Sequence, residues 1–241
     1  RYMAIGTQTS EERALVEHAH LARQLAETLP VFTLPGDPGT PDAVFPNNVF
    51  ATTRKRLILG AMRHDVRRKE ARRQDIQDLF TGLFAREIAT LPGDCVAELT
   101  GPLIVDRGRN IGFCGLTERC DRQGAEAMHA AFGLDLTFVF ELDPAEYHTN
   151  VVMSVLASRA LVIHPPSFRD SEVPPAIAAL YGERVIDLTD AEKAAFAGNC
   201  IALSDRDVWM STAAAEALTP QHRADLAAWG FAVKSVALAE I

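Results

Sequence analysis

Apolar residues fall into two periods along this chain. Leu15, Ala19, Ala22, Leu25 and Leu29 recur at helical spacing behind Thr9 and Glu12, which have capping-box separation, and Pro30 closes the run. The same period predicts a long helix over residues 68–88, with Ile76, Leu79, Phe80 and Leu83 apolar. It predicts shorter helices over 125–132, 173–181, 191–197 and 212–229, the last interrupted by Pro220. Between the helices lie runs of strand type: VFTL, AVFPNNVFAT, RLILGA, CVAEL, PLIVD, NIGFCGL, LTFVFEL, VVMSVLA, ALVIHP, RVIDL, CIAL, VWMS and FAVKSVAL. Setting aside the short helix over 191–197, helices recur five times, about every 50 residues, with two or three strands between them, which points to a repeated supersecondary unit. A doubly wound sheet fits poorly, because the alternation is irregular and neither a G-x-G-x-x-G turn nor a P-loop is present.

Composition narrows the function classes. With 241 residues, 48% of them hydrophobic, the chain can bury the core of one large domain or two small ones. A net charge of −8 opposes a phosphate-rich partner, so nucleic acid is not expected. The arginines of RHDVRRKEARR are interspersed with acids and read as a solvated helix face. No run is long enough to span a membrane and no signal peptide is visible. Cys95, Cys114, Cys120 and Cys200 form neither a CxxC pair nor a zinc-like spacing, the pattern of reduced thiols in a cytoplasmic protein.

Five segments set polar residues into otherwise apolar runs: PDAVFPNNVF (41–50), VAELTGPLIVD (96–106), FCGLTERCD (113–121), EYHTNVVMS (146–154) and FAGNCIAL (196–203). In this order they resemble the guanidino-group-modifying, or pentein, superfamily of arginine deiminases, amidinotransferases and dimethylarginine hydrolases. The resemblance implies an α/β fold, a five-bladed propeller of pseudo-fivefold symmetry, as a single catalytic domain over residues 1–241. FPNN, YHTNV and FAGN are most similar to the citrulline-utilising branch. Where arginine deiminases carry an arginine–aspartate pair after the phenylalanine, this chain has Asn47 and Asn48. Where they carry an aspartate two places after the histidine, it has Asn150.

Those differences bear on the substrate. A guanidinium is best held by carboxylates through paired, charge-assisted hydrogen bonds. A neutral ureido group offers an acceptor beside its donors, which an asparagine amide can match. Asn48 and Asn150 therefore point toward citrulline; the bland alternative is that they cap strand ends.

The resemblance also assigns roles. His148 matches the general acid/base, a task suited to an imidazole. Glu98 matches the acid that hydrogen-bonds the imidazole or a substrate nitrogen; the glycine that follows it in the family is Leu99 here. Arg119 matches the arginine that grips the substrate α-carboxylate, against the alternative of a surface salt bridge with Glu118 or Asp121. Phe45 would lie against the ureido plane or simply belong to the core. Asp42 would hold the α-amino group or cap the turn after Pro41. Arg68, in RRKE, is a second candidate for the carboxylate.

The family's chemistry uses a cysteine thiolate near the C-terminus, and none of the four cysteines occupies that place. The expectation is a sequence that stops short of its nucleophile at Ile241 and of its true start at Arg1, against a paralogue that has lost the thiolate. The leading function is then a cysteine-dependent hydrolase that converts citrulline to ornithine, ammonia and carbon dioxide, with no metal and no organic cofactor. The alternatives are an arginine or dimethylarginine hydrolase, an amidinotransferase, or a binding protein for ureido or guanidino amino acids. The partner is a small amino-acid substrate, and homo-oligomerisation stays open.

Overall fold

The computed structural model describes residues 10–240. Ser10 caps helix α1 (Glu11–Ala26) by accepting a hydrogen bond from the Arg13 backbone N–H. The expected cap, Thr9, lies outside the described residues. Helix α1 buries no side chain, and Leu15 and Val16 on it stay exposed. Polar contacts hold it instead: Glu17 accepts from the N–H groups of Ala239 and Glu240, while the Glu240 carboxylate pairs with Arg13.

Four α/β units follow, each an antiparallel strand pair, a helical return and a third strand parallel to the second. The first contains β1 (Phe50–Thr52), β2 (Arg56–Leu59), α2 (Asp65–Ala71), α3 (Gln74–Asp78) and β3 (Glu87–Thr90). The second contains β4 (Leu103–Asp106), β5 (Ile111–Leu116), α4 (Arg122–Phe132) and β6 (Leu136–Glu141). The third contains β7 (Met153–Leu156), β8 (Ala160–Ile163), α5 (Val173–Ala178) and β9 (Val185–Asp187). After α6 (Asp190–Ala194), the fourth contains β10 (Ile201–Ala202), β11 (Asp207–Ser211), α7 (Thr212–Ala217), α8 (Pro220–Ala228) and β12 (Ala232–Val236). A parallel third strand requires a crossover, which is why each helix separates the second and third strands in sequence.

The cores sit between successive units. Ala51 and Ile58 of the first pack with Leu103, Cys114 and Met128 of the second. Phe113 and Phe140 of the second pack with Met153, Leu161, Ile163 and Ile177 of the third. Leu156 and Val162 of the third pack with Val208, Met210, Leu226 and Phe231 of the fourth. Strand β7 lies against both β4 and β10. Polar pins cross the same seams: the Tyr181 hydroxyl donates to buried Asp106 at 2.8 Å. The described residues form four such units, not five.

Four expected elements differ, the first being AVFPNNVFAT, whose Pro46–Asn48 form a 3₁₀ turn so that only Phe50–Thr52 are a strand. The long helix over 68–88 is α2, α3 and a π-helical turn (Leu79–Leu83), because Arg73 adopts an extended ψ of 105° between the two helices. Ile88 belongs to β3. VFTL forms no strand; Phe32 is exposed and packs edge-on with Phe84. CVAEL forms no strand either, making single bridges at Ala97 to Ala61 and Cys120. Its path turns at Leu99, a buried residue with a φ of +38°. No described helix is long and apolar enough to cross a membrane.

Candidate active site

The turn at Leu99 makes residues 98–101 a hub. Glu98, only 1% exposed, directs Oε2 to His148 Nε2 at 3.1 Å. The same carboxylate accepts from Arg119 Nη1 at 3.1 and 3.2 Å through its two oxygens. Thr100 donates its hydroxyl to the Asn47 carbonyl at 2.9 Å, and the Asn47 amide in turn donates to Asn48 Oδ1 at 3.0 Å. The Gly101 carbonyl accepts from the Asn150 N–H at 2.9 Å. A Cβ on Gly101 would stand 2.7 Å from His148 Nε2, so only glycine lets the imidazole lie there.

Each partner is delivered by a different segment. His148 is extended (φ −141°, ψ 147°) and enters the 3₁₀ turn Thr149–Val151. Tyr147, its neighbour, sets its ring 4.9 Å from the imidazole at a 50° tilt and accepts through its carbonyl from the Thr117 hydroxyl. Arg119 sits on the tight turn between β5 and α4, whose N–H and C=O groups at Thr117 and Cys120 bond each other. Its backbone carbonyl also accepts from the Glu98 N–H at 3.2 Å. Gly124 lets α4 come this close, since a Cβ there would fall 2.0 Å from the Val96 carbonyl oxygen.

The electrostatics follow from burial and charge. Burial pushes the Glu98 carboxyl up, but the His148 hydrogen bond and the Arg119 charge more than offset it, holding it below its ordinary 4.5. Burial pulls His148 below its ordinary 6.5, with Glu98 opposing and the charges of Arg119 and Arg67 assisting. The imidazole is therefore neutral near pH 7, and its Nε2–H donates to an ionised Glu98. That bond leaves Nδ1 as the nitrogen with a free lone pair.

The other expected residues fall as follows. Asn150 comes to the hub through its backbone, and its side-chain Oδ1 is buried with no hydrogen-bond partner among the described residues. Asn48 is half-buried, its Oδ1 already occupied by Asn47. Of the two salt bridges weighed for Arg119, the structure forms the one to Glu118 and not the one to Asp121. The Arg119 Nε meets Glu118 at 3.3 Å, but its main partner is Glu98, and Asp121 is occupied in capping α4 and holding the Val96 N–H. Asp42 and Phe45 are half-buried on the loop before the 3₁₀ turn Pro46–Asn48.

Arg68 does not belong to this group. Its guanidinium bonds the carbonyls of Met62 and Arg63 and the Asp65 carboxylate, and its side chain is 53% exposed. One position earlier, Arg67 is buried and donates to the carbonyls of Asp42 and Phe45 at 2.8 and 2.9 Å. It faces buried Glu70 at 3.4 Å, whose carboxyl burial pushes up to about 7 although Arg67 pulls it down. Sequence reasoning missed Arg67; the signal available was the i,i+3 pairing of Arg67 with Glu70 inside an otherwise solvated helix.

All four cysteines are free and buried. The Cys114 and Cys120 sulfurs lie 3.7 Å apart without a bond. Burial raises the thiols of Cys95 and Cys200, the latter to about 12, while contact with Cys114 raises that of Cys120. The raised pKa values of Cys95, Cys120 and Cys200 are the opposite of an attacking thiolate's.

The match of a family model places the chain in the guanidino-group-modifying (pentein) superfamily of hydrolases acting on non-peptide carbon–nitrogen bonds, and its repeated β-β-α-β units carry a buried carboxylate shared by an imidazole and a guanidinium. Within it the chain belongs to the family described as N,N dimethylarginine dimethylhydrolase, eukaryotic, whose model matches residues 1–241. No curated protein sequence matches it. Among solved structures it is similar to the N-terminal domain of ArgZ, an arginine dihydrolase from the ornithine–ammonia cycle in cyanobacteria, with a TM-score of 0.82, 22% identity and coverage of 96% of this chain and 82% of that one. It is also similar to a mutant of AgrE in complex with L-arginine, with a TM-score of 0.83 and 23% identity, covering 96% of this chain but only 34% of the larger one. A dimethylarginine dimethylaminohydrolase adduct has a TM-score of 0.76 and 20% identity, with 96% and 86% covered. At these identities the likeness shows the fold.

Proposed function

We propose that this protein hydrolyses the guanidino carbon–nitrogen bond of arginine or a methylated arginine, with His148 and Glu98 as its acid–base pair. The buried, neutral His148 hydrogen-bonded to ionised Glu98 is the observation that carries the reading. Glu98 fixes the tautomer, so Nδ1 accepts a proton from the attacking group and returns it to the departing amine. The carbon–nitrogen bond breaks as that nitrogen is protonated, and water supplies the oxygen of the product. The thiolate implied by resemblance to the superfamily is none of Cys95, Cys114, Cys120 and Cys200. The five-bladed ring is the arrangement we propose around this site; the four formed units support it.

A guanidino substrate is favoured over citrulline by the family and by the named activities of ArgZ and AgrE's bound ligand. The charge argument for citrulline weighed Asn48 and Asn150 alone. Asn48 Oδ1 is occupied by Asn47 and is not free to read a ureido group, whereas the unpartnered Asn150 Oδ1 suits a guanidinium, which offers only donors. The ionised Glu98 remains nearby as counter-charge. Asp42, whose carboxylate has no partner among the described residues, would take the α-amino group. Buried Arg67 replaces Arg68 as the cation beside Asp42 and Phe45. Isothermal titration of the full-length protein with L-arginine, asymmetric dimethylarginine and L-citrulline tests the choice. At least one guanidino ligand should bind about tenfold or more tightly than citrulline, the factor given by one charge-assisted hydrogen bond. Tighter binding of citrulline than of both would contradict it.

A further inference from the structure

The turn Phe196-Ala197-Gly198-Asn199 has no part in the acid–base pair, yet it is clamped against the residues that follow His148. Phe196 holds a φ of +62°, and Gly198 lies so near the next segment that a Cβ would stand 2.7 Å from the Val151 carbonyl oxygen. The Ser154 hydroxyl lies 2.7 Å from both the Gly198 and Cys200 carbonyl oxygens, which fixes the turn from below. What the turn delivers is the Asn199 amide, whose Nδ2 donates to the Asn150 carbonyl at 2.8 Å.

Asn150 is thereby held at both backbone groups. Its N–H donates to Gly101 at 2.9 Å, and its carbonyl accepts from Asn199. Its side-chain Oδ1 is the group left over, buried and accepting nothing. A buried acceptor without a donor costs free energy until a ligand supplies an N–H. Holding the backbone of such a residue from both sides keeps the vacant acceptor in one place and lowers the ordering cost when a ligand arrives.

We infer that Asn199 is a positioning residue, which fixes Asn150 so that Oδ1 receives an N–H of a guanidino ligand. The inference rests on the guanidino reading above and adds to it a residue that touches no ligand itself. Asn199 is exposed, so its replacement leaves the core intact. Asn199→Ala removes the donor; Asn199→Asp sets a carboxylate against the Asn150 carbonyl and should act more strongly.

The test is titration of the full-length wild type and both variants with L-arginine and L-ornithine. Ornithine carries the same α-amino and α-carboxylate groups but no guanidino group. Asn199→Ala should weaken arginine about tenfold and leave ornithine within about twofold, because one hydrogen bond to the guanidino end is misplaced. Equal losses for the two ligands would mean a general structural role and overturn the inference, as would an unchanged arginine affinity. Wild type that binds ornithine but not arginine would sink the guanidino reading and this inference with it. Intact arginine selectivity in both variants would sink this inference alone.

Discussion

Glu98 Oε2 lies 3.1 Å from His148 Nε2, and a second cation, Arg119, shares the same buried carboxylate. One acid thus sets the tautomer of the imidazole and anchors the turn that carries the arginine. Glu98→Gln keeps an acceptor but removes the charge. It leaves the largely buried Arg119 with only the half-exposed Glu118 as counter-ion, so we expect a loss of about 3 kcal/mol in urea unfolding. Turnover of the best guanidino substrate should fall about 100-fold, since the imidazole loses its orienting base.

The pH dependence of stability follows from the two displaced pKa values. His148 sits below its ordinary 6.5 in the fold, so the folded state favours the neutral form. That contribution is full above 6.5 and is lost as the pH falls toward the folded value. Glu98 sits below its ordinary 4.5, so its contribution is full above 4.5 and is lost only as the pH falls through its lower folded value. Tm followed by circular dichroism should decline in two stages on acidification, and His148→Gln should remove the upper stage. A wild-type Tm that rises as the pH drops below 6.5 would contradict the assignment.

Gly101→Ala separates activity from stability. Its Cβ would collide with the His148 ring at 2.7–2.8 Å, a side chain that can move aside, whereas Gly124→Ala would meet the Val96 backbone at 2.0 Å. The first should cost at least ~100-fold in kcat with a modest change in Tm, as a misplaced catalytic group does. The second should cost on the order of 1–3 kcal/mol in stability through overpacking. Paired kinetics and thermal melts check both.

The buried thiols should be silent. A thiol reagent added to native protein should leave Cys95, Cys114, Cys120 and Cys200 unmodified until denaturant is added, and Cys200→Ala should keep wild-type kcat/KM. Rapid modification of Cys200 coupled to loss of activity would make it a nucleophile after all.

The sequence spoke most clearly where local and long-range demands agree. Most of β4–β9, α4 and the split at Pro220 appear where periodicity and proline place them, because their apolar faces pack on neighbouring units. Periodicity failed at residues 68–88, where apolar spacing continues across the extended Arg73 and cannot register a break in the backbone. It failed at CVAEL, where the strand-like run is bent by Leu99 to present Glu98. The choice between Arg67 and Arg68 was illegible for a related reason. Neighbouring helix positions differ by about 100° in direction, so only packing decides which arginine turns inward. Glu98 was legible because a carboxylate in an apolar run must have a partner, whereas His148 and Asn150 were placed by their resemblance to the family's motif. The partner of Arg119 was not legible, since 21 residues separate it from Glu98.

The most direct measurement is product formation by full-length wild type and His148→Asn with L-arginine, asymmetric dimethylarginine and L-citrulline, following amine, ammonia, citrulline and ornithine. The account predicts that wild type releases ammonia or a methylamine from a guanidino substrate. The His148→Asn variant, which folds but cannot shuttle the proton, should fall at least ~100-fold. Consumption of citrulline alone, or a His148→Asn variant as fast as wild type, would contradict it.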